Sequence, residues 1–243
     1  MVQALEVIAS PRPVKGTRGR SRVLLFAVVS LPRLIPLFPL PNVVLFPQVL
    51  LPLHIFEPRY REMVKDVAGG DDELIGMILL RGHEDIADPG HDVFTVGCAG
   101  RMIRKVDLPD GRSNILLQGV REFVPREQSF DRPYRVAAVE WMPAPEKGFR
   151  LEPGVKRTLL ERIRAFLGEK QEEMRILNDP TVGDEMLVNL FAFALDFPVA
   201  EKQSLLEVGT LEARAVRLIE TLEFHALERE FSPGIEQAKF RVQ

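Results

Sequence analysis

The stretch that decides the fold runs from Ile35 to Pro47 and reads IPLFPLPNVVLFP. Its prolines fix φ near the extended region and disrupt helix interiors, so a helix is excluded here. The leucine, phenylalanine and valine residues between the prolines suit the apolar side of a sheet. We therefore expect extended strand backbone at the start of a β structure.

The next segment continues this pattern and then changes it. Residues 51–60 read LPLHIFEPRY, and Pro52 predicts a sheet edge or a bulge because proline donates no ladder hydrogen bond. Pro58 fits the first turn of a helix, where a missing N–H costs nothing. We predict a strand and then a short helix that has Tyr60, Met63 and Val64 on one face.

Short apolar runs bounded by Pro, Gly and Asp continue to Trp141, which is typical of a small antiparallel β domain. The turn signal PDGR at Pro109–Arg112 should join two hairpin strands. The predicted strands are Val49–Phe56, Leu74–Leu80, Phe94–Arg104, Asn114–Phe123 and Tyr134–Trp141.

After Pro145 the apolar spacing changes to the 3.6-residue period of amphipathic helices. One helix begins behind Pro153, a second follows Asp184, and a third runs from Thr210 to about Arg229. The short connections between them predict an antiparallel bundle. The fold class is therefore α+β, with an antiparallel β half followed by a helical half.

The composition favours a cytoplasmic globular protein. The chain has 243 residues, 46% of them hydrophobic, which is enough for a full core without disulfides. Its formal charge of −3 gives no positive field to collect nucleic acid or anionic lipid. The single cysteine, Cys98, fits a reducing compartment. We exclude residues 1–32 from the fold as a basic leader, either disordered or produced by a misplaced start, rather than an export signal.

The sequence contains no phosphate-binding GxxxxGK[ST] segment, no GxSxG nucleophile elbow and no HExxH motif. We therefore expect no catalytic residue and no cofactor. A polar loop has the possible zinc ligands His83, Glu84, Asp85, Asp88, His91 and Asp92. The spacing of its two histidines matches no common ligand pattern, so a solvated loop without metal is favoured. His54 and Cys98 are interpreted as structural. Trp141 either covers the seam between the two halves, which we favour, or anchors a bound segment.

Several segments together resemble the substrate-binding domain of Lon proteases. They are Ile35–Pro47 with Leu51–Tyr60, Ile75–Met77, Val96–Ala99, Asn114–Phe123 and Leu195–Glu207. Gly119–Phe123 resembles the family's turn back into the sheet, and Leu195–Glu207 its short helix before a long final one. The resemblance implies a PUA-like antiparallel β-barrel followed by an α-helical bundle. We assign residues 1–32 to the leader, 33–145 to the barrel, 146–231 to the helical subdomain and 232–243 to a tail.

The same resemblance implies a non-catalytic module that binds unfolded or exposed apolar polypeptide segments, alone or as an accessory to a protease complex. The sequence ends where the family's ATPase and Ser–Lys protease modules would begin, so we expect no peptidase activity. The predicted substrate-binding residues are Leu51, Leu53, Phe56, Glu57, Arg59 and Arg61. The alternative is RNA binding through the PUA-like barrel and a patch of Arg101, Arg104 and Lys105, which the acidic net charge disfavours.

Overall fold

A computed structural model describes residues 31–70, 72–82, 92–168, 176–177, 179 and 181–239, with side chains as far as residue 231. Residues 1–30 of the predicted leader, the loop at residues 83–91 and the last four residues lie outside the described part. The strands are β1 (Leu34–Leu40), β2 (Leu50–Ile55), β3 (Leu74–Leu79), β4 (Gly97–Asp107), β5 (Ser113–Ser129) and β6 (Val136–Trp141). The helices are α1 (Pro58–Ala68), α2 (Pro153–Leu167), α3 (Asp184–Ala194), α4 (Val199–Glu207) and α5 (Leu211–Lys239).

The six strands form one sheet in the order β2-β5-β4-β3-β1-β6, and a further pairing joins β5 to β6. The pairings from β1 through β3, β4, β5 and β6 therefore return to β1, which makes the sheet barrel-like. Strand β2 lies outside this circuit and pairs with β5 alone among the described strands. This arrangement confirms the predicted α+β class and places Pro52 on an edge strand.

The prediction of a wholly antiparallel sheet is wrong at one pairing. Strand β1 pairs with β3 in parallel, with Leu37 opposite Gly76, while the other strand pairings are antiparallel. The reason lies in the connection. Strand β2 and helix α1 intervene between β1 and β3, and a crossover of this length allows the chain to re-enter the sheet in its original direction.

Strand β5 is longer than predicted and contains no turn at Gly119–Phe123. Its first part pairs with β2, its last part pairs with β6, and its register against β4 shifts near Gly119. The resemblance to a turn is therefore corrected to a bulge within a continuous strand. A Cβ on Gly119 would lie 2.0 Å from the carbonyl oxygen of Phe46, so the loop before β2 crosses the strand in direct contact with its backbone.

The helices follow the predicted periodicity. Helix α1 buries Tyr60, Met63 and Val64 as predicted. Helix α5 extends ten residues past the predicted end at Arg229, and α2, α3 and α4 each pack against it. One hydrophobic cluster contains core residues of both halves, for example Phe46 and Leu218. The division of the chain at residue 145 stays a prediction.

The turn at residues 109–112 and the single tryptophan have clear structural roles. Gly111 has a φ of 79°, and the N–H of Leu108 donates to the carbonyl of Arg112 at 2.8 Å, which closes the predicted hairpin. Trp141 packs on a small cluster inside the sheet, and its Nε1 donates to the carbonyl oxygen of Pro32 at 3.0 Å. It therefore fixes the entry into β1, and does not cover the seam with the helices.

Candidate functional site

The outer surface of three adjacent strands carries a concentration of exposed apolar side chains. Successive side chains on a strand point to opposite sides of a sheet. Ile55, Ile115 and Leu117 are buried in the core, so their strand neighbours face outward. We call this surface the β2–β5–β4 face and define it by Pro52, His54, Phe56, Ile103, Arg104, Val106, Asn114 and Leu116.

Phe56, Ile103 and Val106 are 59%, 48% and 42% exposed, and Leu116 between them is partly buried. The strand register places His54, Asn114 and Val106 in one row across the three strands. Two strand spacings separate the ends of such a row, about 10 Å. The apolar groups thus lie within reach of one bound segment, and exposed patches of this kind mark interaction sites.

The polar groups beside Phe56 are engaged with each other. His54 Nε2 lies 3.3 Å from Nη1 of Arg112, and a guanidinium can only donate, so Nε2 must accept. The proton therefore sits on Nδ1, which donates to Oδ1 of Asn114 at 2.7 Å. The imidazole is held with its centroid 6.2 Å from that of Phe56, in a stacked arrangement. These contacts orient His54 beside the exposed phenylalanine.

The structure distributes the predicted site residues over two environments. Leu51 is only 6% exposed and belongs to the core, and Leu53 is partly buried against it. Phe56 is the predicted apolar residue that faces outward. The structure therefore brings Phe56 to the candidate surface and leaves Leu51 as a support beneath it.

The charged residues of the predicted site, Glu57, Arg59 and Arg61, lie at the start of α1 next to Phe56, and we call them its rim. Arg59 donates from Nη2 to Oε2 of Glu57 at 2.8 Å, and its guanidinium lies 4.8 Å from the centroid of the Tyr60 ring. Arg61 is partly buried against the hairpin turn, where a Cβ on Gly111 would lie 2.1 Å from its Nη2. These charges are therefore tied to neighbouring structure.

The free edge of β2 is poorly suited to pairing with another strand. Proline is tolerated on an edge strand because its missing N–H faces away from the ladder. Pro52 occupies the middle of β2, opposite Leu116 of β5, so an added strand would find no donor there. The arrangement therefore favours recognition by side chains at the middle of this edge.

Sequence reasoning missed Ile103 and Val106 as surface residues. Ile103 faces outward by alternation from the buried Met102, whereas Val106 lies beyond the predicted strand and faces outward because of the register shift between Met102 and Arg104, which leaves no signal in the sequence. The proposed basic patch is also weaker than expected, because Arg101 donates to the carbonyl of Asp72 at 3.0 Å and Lys105 is paired with Asp107 at 2.7 Å.

Of the candidate zinc ligands, His83, Glu84, Asp85, Asp88 and His91 lie outside the described residues, and Asp92 is exposed. Within the described ranges, no three His, Cys, Asp or Glu side chains converge as a metal site would require. Cys98 is fully buried, and burial raises the pKa of its thiol well above the ordinary value. Its interpretation as a small core residue is confirmed.

The architecture defines an α+β domain in which a barrel-like sheet shares its core with a helical half. A family model for the substrate-binding domain of the ATP-dependent protease La (LON) matches residues 34–223. The chain belongs to this family, which confirms the resemblance seen in the sequence.

Two solved structures share the fold. The N-terminal domain of the Mycobacterium avium complex Lon protease matches with a TM-score of 0.61 and 14% identity, covering 79% of this chain and 99% of that one. A Lon N-terminal domain protein from Xanthomonas campestris matches with a TM-score of 0.58 and 23% identity, covering 77% and 97% respectively.

The curated relatives that the chain resembles include Lon proteases. The chain is 32% identical to the Lon protease of Parabacteroides distasonis over 195 residues, which cover 76% of this chain and 23% of the relative. It is 30% identical to Lon protease 2 of Myxococcus xanthus over 203 residues, 79% of this chain and 24% of the relative. The chain thus spans about a quarter of the length of these relatives. No helix in the described part of the chain is long and apolar enough to cross a membrane.

Proposed function

We propose that this chain is a polypeptide-binding module that captures exposed apolar segments on the β2–β5–β4 face. The observation that carries this proposal is the exposure of Phe56, at the end of β2, together with Ile103 and Val106 of β4 on one face of the sheet. The family assignment supports it, because the matched domain is named for substrate binding.

The surface favours weak and broadly selective binding. Burying an aromatic side chain such as Phe56 contributes roughly 1.5–3 kcal/mol, part of which offsets the loss of freedom on association. The free edge offers no donor at Pro52, so the module would distinguish bound segments mainly through apolar contacts. A segment with two or three apolar side chains would fit this surface without a fixed motif.

We further propose that the module acts without catalysis, in the cytoplasm, and delivers unfolded or misfolded chains to a protease complex. The family match supports a substrate-binding role, and the region that aligns with the Lon relatives is about a quarter of their length. RNA binding is less well supported, since Arg101 and Lys105 are already engaged within the protein.

The test is the binding of a permanently unfolded polypeptide, such as reduced and carboxymethylated lactalbumin carrying a fluorophore, measured by anisotropy. Phe56→Ser should weaken binding about tenfold, since it removes an anchor worth more than 1.4 kcal/mol. The matched control is Phe224→Ser, because Phe224 is 56% exposed and lies on α5, away from the face. The affinity of the Phe224→Ser variant for the unfolded polypeptide should stay within twofold of the affinity of the parent chain.

Either of two outcomes contradicts the proposal. One is equal binding by the Phe56→Ser variant and the parent chain. The other is a loss confined to Phe224→Ser, which would move the site to α5. Circular dichroism of both variants checks that the fold is unchanged, and a labelled RNA in the same assay tests the alternative.

A further inference from the structure

A cleft of about 340 Å³ lies at the junction of the two halves of the molecule, and Phe56 is not among the residues that line it. We call it the junction cleft. The segment after β6 forms one wall, and α3 together with the start of α5 forms the other. Its apolar lining includes Met142, Phe149 and Leu211, and its polar lining includes Glu122, Glu185 and Asn189. The volume is in the range of sites for small ligands.

A buried ion pair forms the floor of the junction cleft. Arg214 donates from Nη2 to Oε1 of Glu122 at 2.5 Å, and both side chains are almost fully buried. Its Nε donates to the carbonyl of Leu205 at 2.9 Å and its Nη1 to Oδ1 of Asn189 at 2.6 Å. Each nitrogen of Arg214 thus has an acceptor within the protein, and the charge of Glu122 is balanced.

Asn189 is left with an unused donor. Its side chain is 1% exposed and its Oδ1 is occupied by Arg214, yet its Nδ2 has no hydrogen-bond partner among the described residues. Buried amide donors are nearly always satisfied, so an unpartnered one requires an explanation. Because Asn189 lines the junction cleft, an acceptor on a bound molecule would supply the missing partner.

Glu185 places a negative charge in the same cleft. It lies four residues before Asn189 on α3, so the two side chains are neighbours on one face of the helix. Burial raises the pKa of Glu185, the nearby negative charge of Glu122 raises it further, and Arg214 and Arg121 oppose the shift. A cation bound beside Glu185 would relieve this unfavourable environment.

We propose that the junction cleft binds the N-terminal residue of a polypeptide when that residue is apolar. Its protonated amino group donates to the carboxylate of Glu185, its carbonyl oxygen accepts from Nδ2 of Asn189, and its side chain packs on Met142 and Phe149. The amino nitrogen and first carbonyl oxygen are roughly 3 Å apart. With a hydrogen bond of about 2.9 Å at each end, the amino group and the carbonyl oxygen together are long enough to bridge Glu185 and Asn189, which are neighbours on one helix face.

The experiment uses the full chain and three small probes whose affinities are measured by calorimetry or NMR titration. Phenylalaninamide has the amino group, the carbonyl and the aromatic side chain. N-acetylphenylalaninamide lacks the charged amino group, and phenethylamine lacks the carbonyl. We expect phenylalaninamide to bind roughly tenfold more tightly than either of the others, since each loses a hydrogen bond to a buried or charged partner.

Two near-isosteric variants assign each contact. Glu185→Gln should abolish the preference for phenylalaninamide over its acetylated form. Asn189→Asp keeps an acceptor for Arg214 but removes the Nδ2 donor, so it should abolish the preference over phenethylamine. Glu212→Gln is the control, because Glu212 is exposed on α5 and does not line the cleft; it should preserve both preferences. Ratios of affinities remain informative if a variant is less stable.

Equal binding of phenylalaninamide and its acetylated form would overturn the proposal and assign the junction cleft to internal peptide groups. Preferences that persist in both variants would also overturn it. This site is independent of the proposed function, and Phe56→Ser should leave the binding of all three probes unchanged. A negative result for the junction cleft therefore does not contradict the proposed function of the β2–β5–β4 face, and the reverse also holds.

Discussion

The β2–β5–β4 face and the junction cleft lie in one molecule but differ in how their polar groups are satisfied. On the face, the polar side chains nearest Phe56 bond to each other and the apolar groups are open to solvent. In the cleft, an ion pair is buried and one amide donor lacks a partner in the described structure. The face can therefore bind by apolar contact alone, whereas the cleft requires a ligand with matching polar groups.

The largest difference between the two regions should appear in stability. Arg214→Met leaves the carboxylate of Glu122 buried without its partner, so we expect the free energy of unfolding to fall by about 3–5 kcal/mol. Arg104→Met on the exposed face should change it by less than about 0.5 kcal/mol. Urea denaturation measures both.

The double variant Arg214→Met with Glu122→Leu sharpens this test. It removes both charges, so it should recover a substantial part of the lost stability. A loss below about 1 kcal/mol for Arg214→Met would mean that the ion pair does not hold the junction together.

A smaller effect is expected at Gly119, where β5 passes from the face toward the junction. Gly119→Ala places a Cβ 2.0 Å from the Phe46 carbonyl oxygen, which is backbone and has little room to move. We expect a loss of about 1–3 kcal/mol in the free energy of unfolding. Gly209→Ala is the matched control, because a Cβ there meets no atom within 4 Å. Equal stabilities of the two variants would rule out the close approach at Gly119.

The smallest effect concerns Glu185 and depends on pH. Because the folded protein raises the pKa of Glu185 above its ordinary value of 4.5, its charge opposes folding at neutral pH. Glu185→Gln should thus raise Tm at pH 7, by an amount worth less than about 1 kcal/mol for a partly exposed group. As the pH falls, Glu185 takes up its proton in the folded protein before it does so in the unfolded chain. The gain in Tm from Glu185→Gln should therefore shrink between the raised pKa and 4.5. A difference in Tm that is constant from pH 7 to pH 4.5 would contradict this.

Local patterns in the sequence predicted much of the fold. The proline-interrupted start gave an extended β1 and an edge position for Pro52, and the PDGR segment gave the β4–β5 hairpin. The change of apolar period after Pro145 gave helices α2, α3 and α5. Each of these features depends on neighbouring residues, whose dihedral preferences and spacing can be read directly.

The features that sequence reasoning missed depend on residues far apart in the chain. The parallel pairing of β1 with β3 follows from the path of the crossover, and the exposure of Val106 follows from a bulge of β4 against β5. Arg214 and Glu122 are separated by 92 residues, so no spacing rule connects them. Of the predicted site residues, Phe56 is exposed, whereas alternation along β2 directs Leu51 inward. Whether Phe56 and its rim contact a substrate stays a prediction.

The contact between Trp141 and Pro32 has a consequence for how the protein folds as it is synthesised. It joins residues 109 positions apart, and the neighbouring β1–β6 pairing closes the circuit of strands. Contacts over such distances form slowly because a long loop must be ordered first. On the ribosome, β1 can pair with β3 before β6 has been made, but its other edge stays unpaired until β6 and Trp141 have emerged, so this stretch of translation leaves the nascent chain exposed to aggregation.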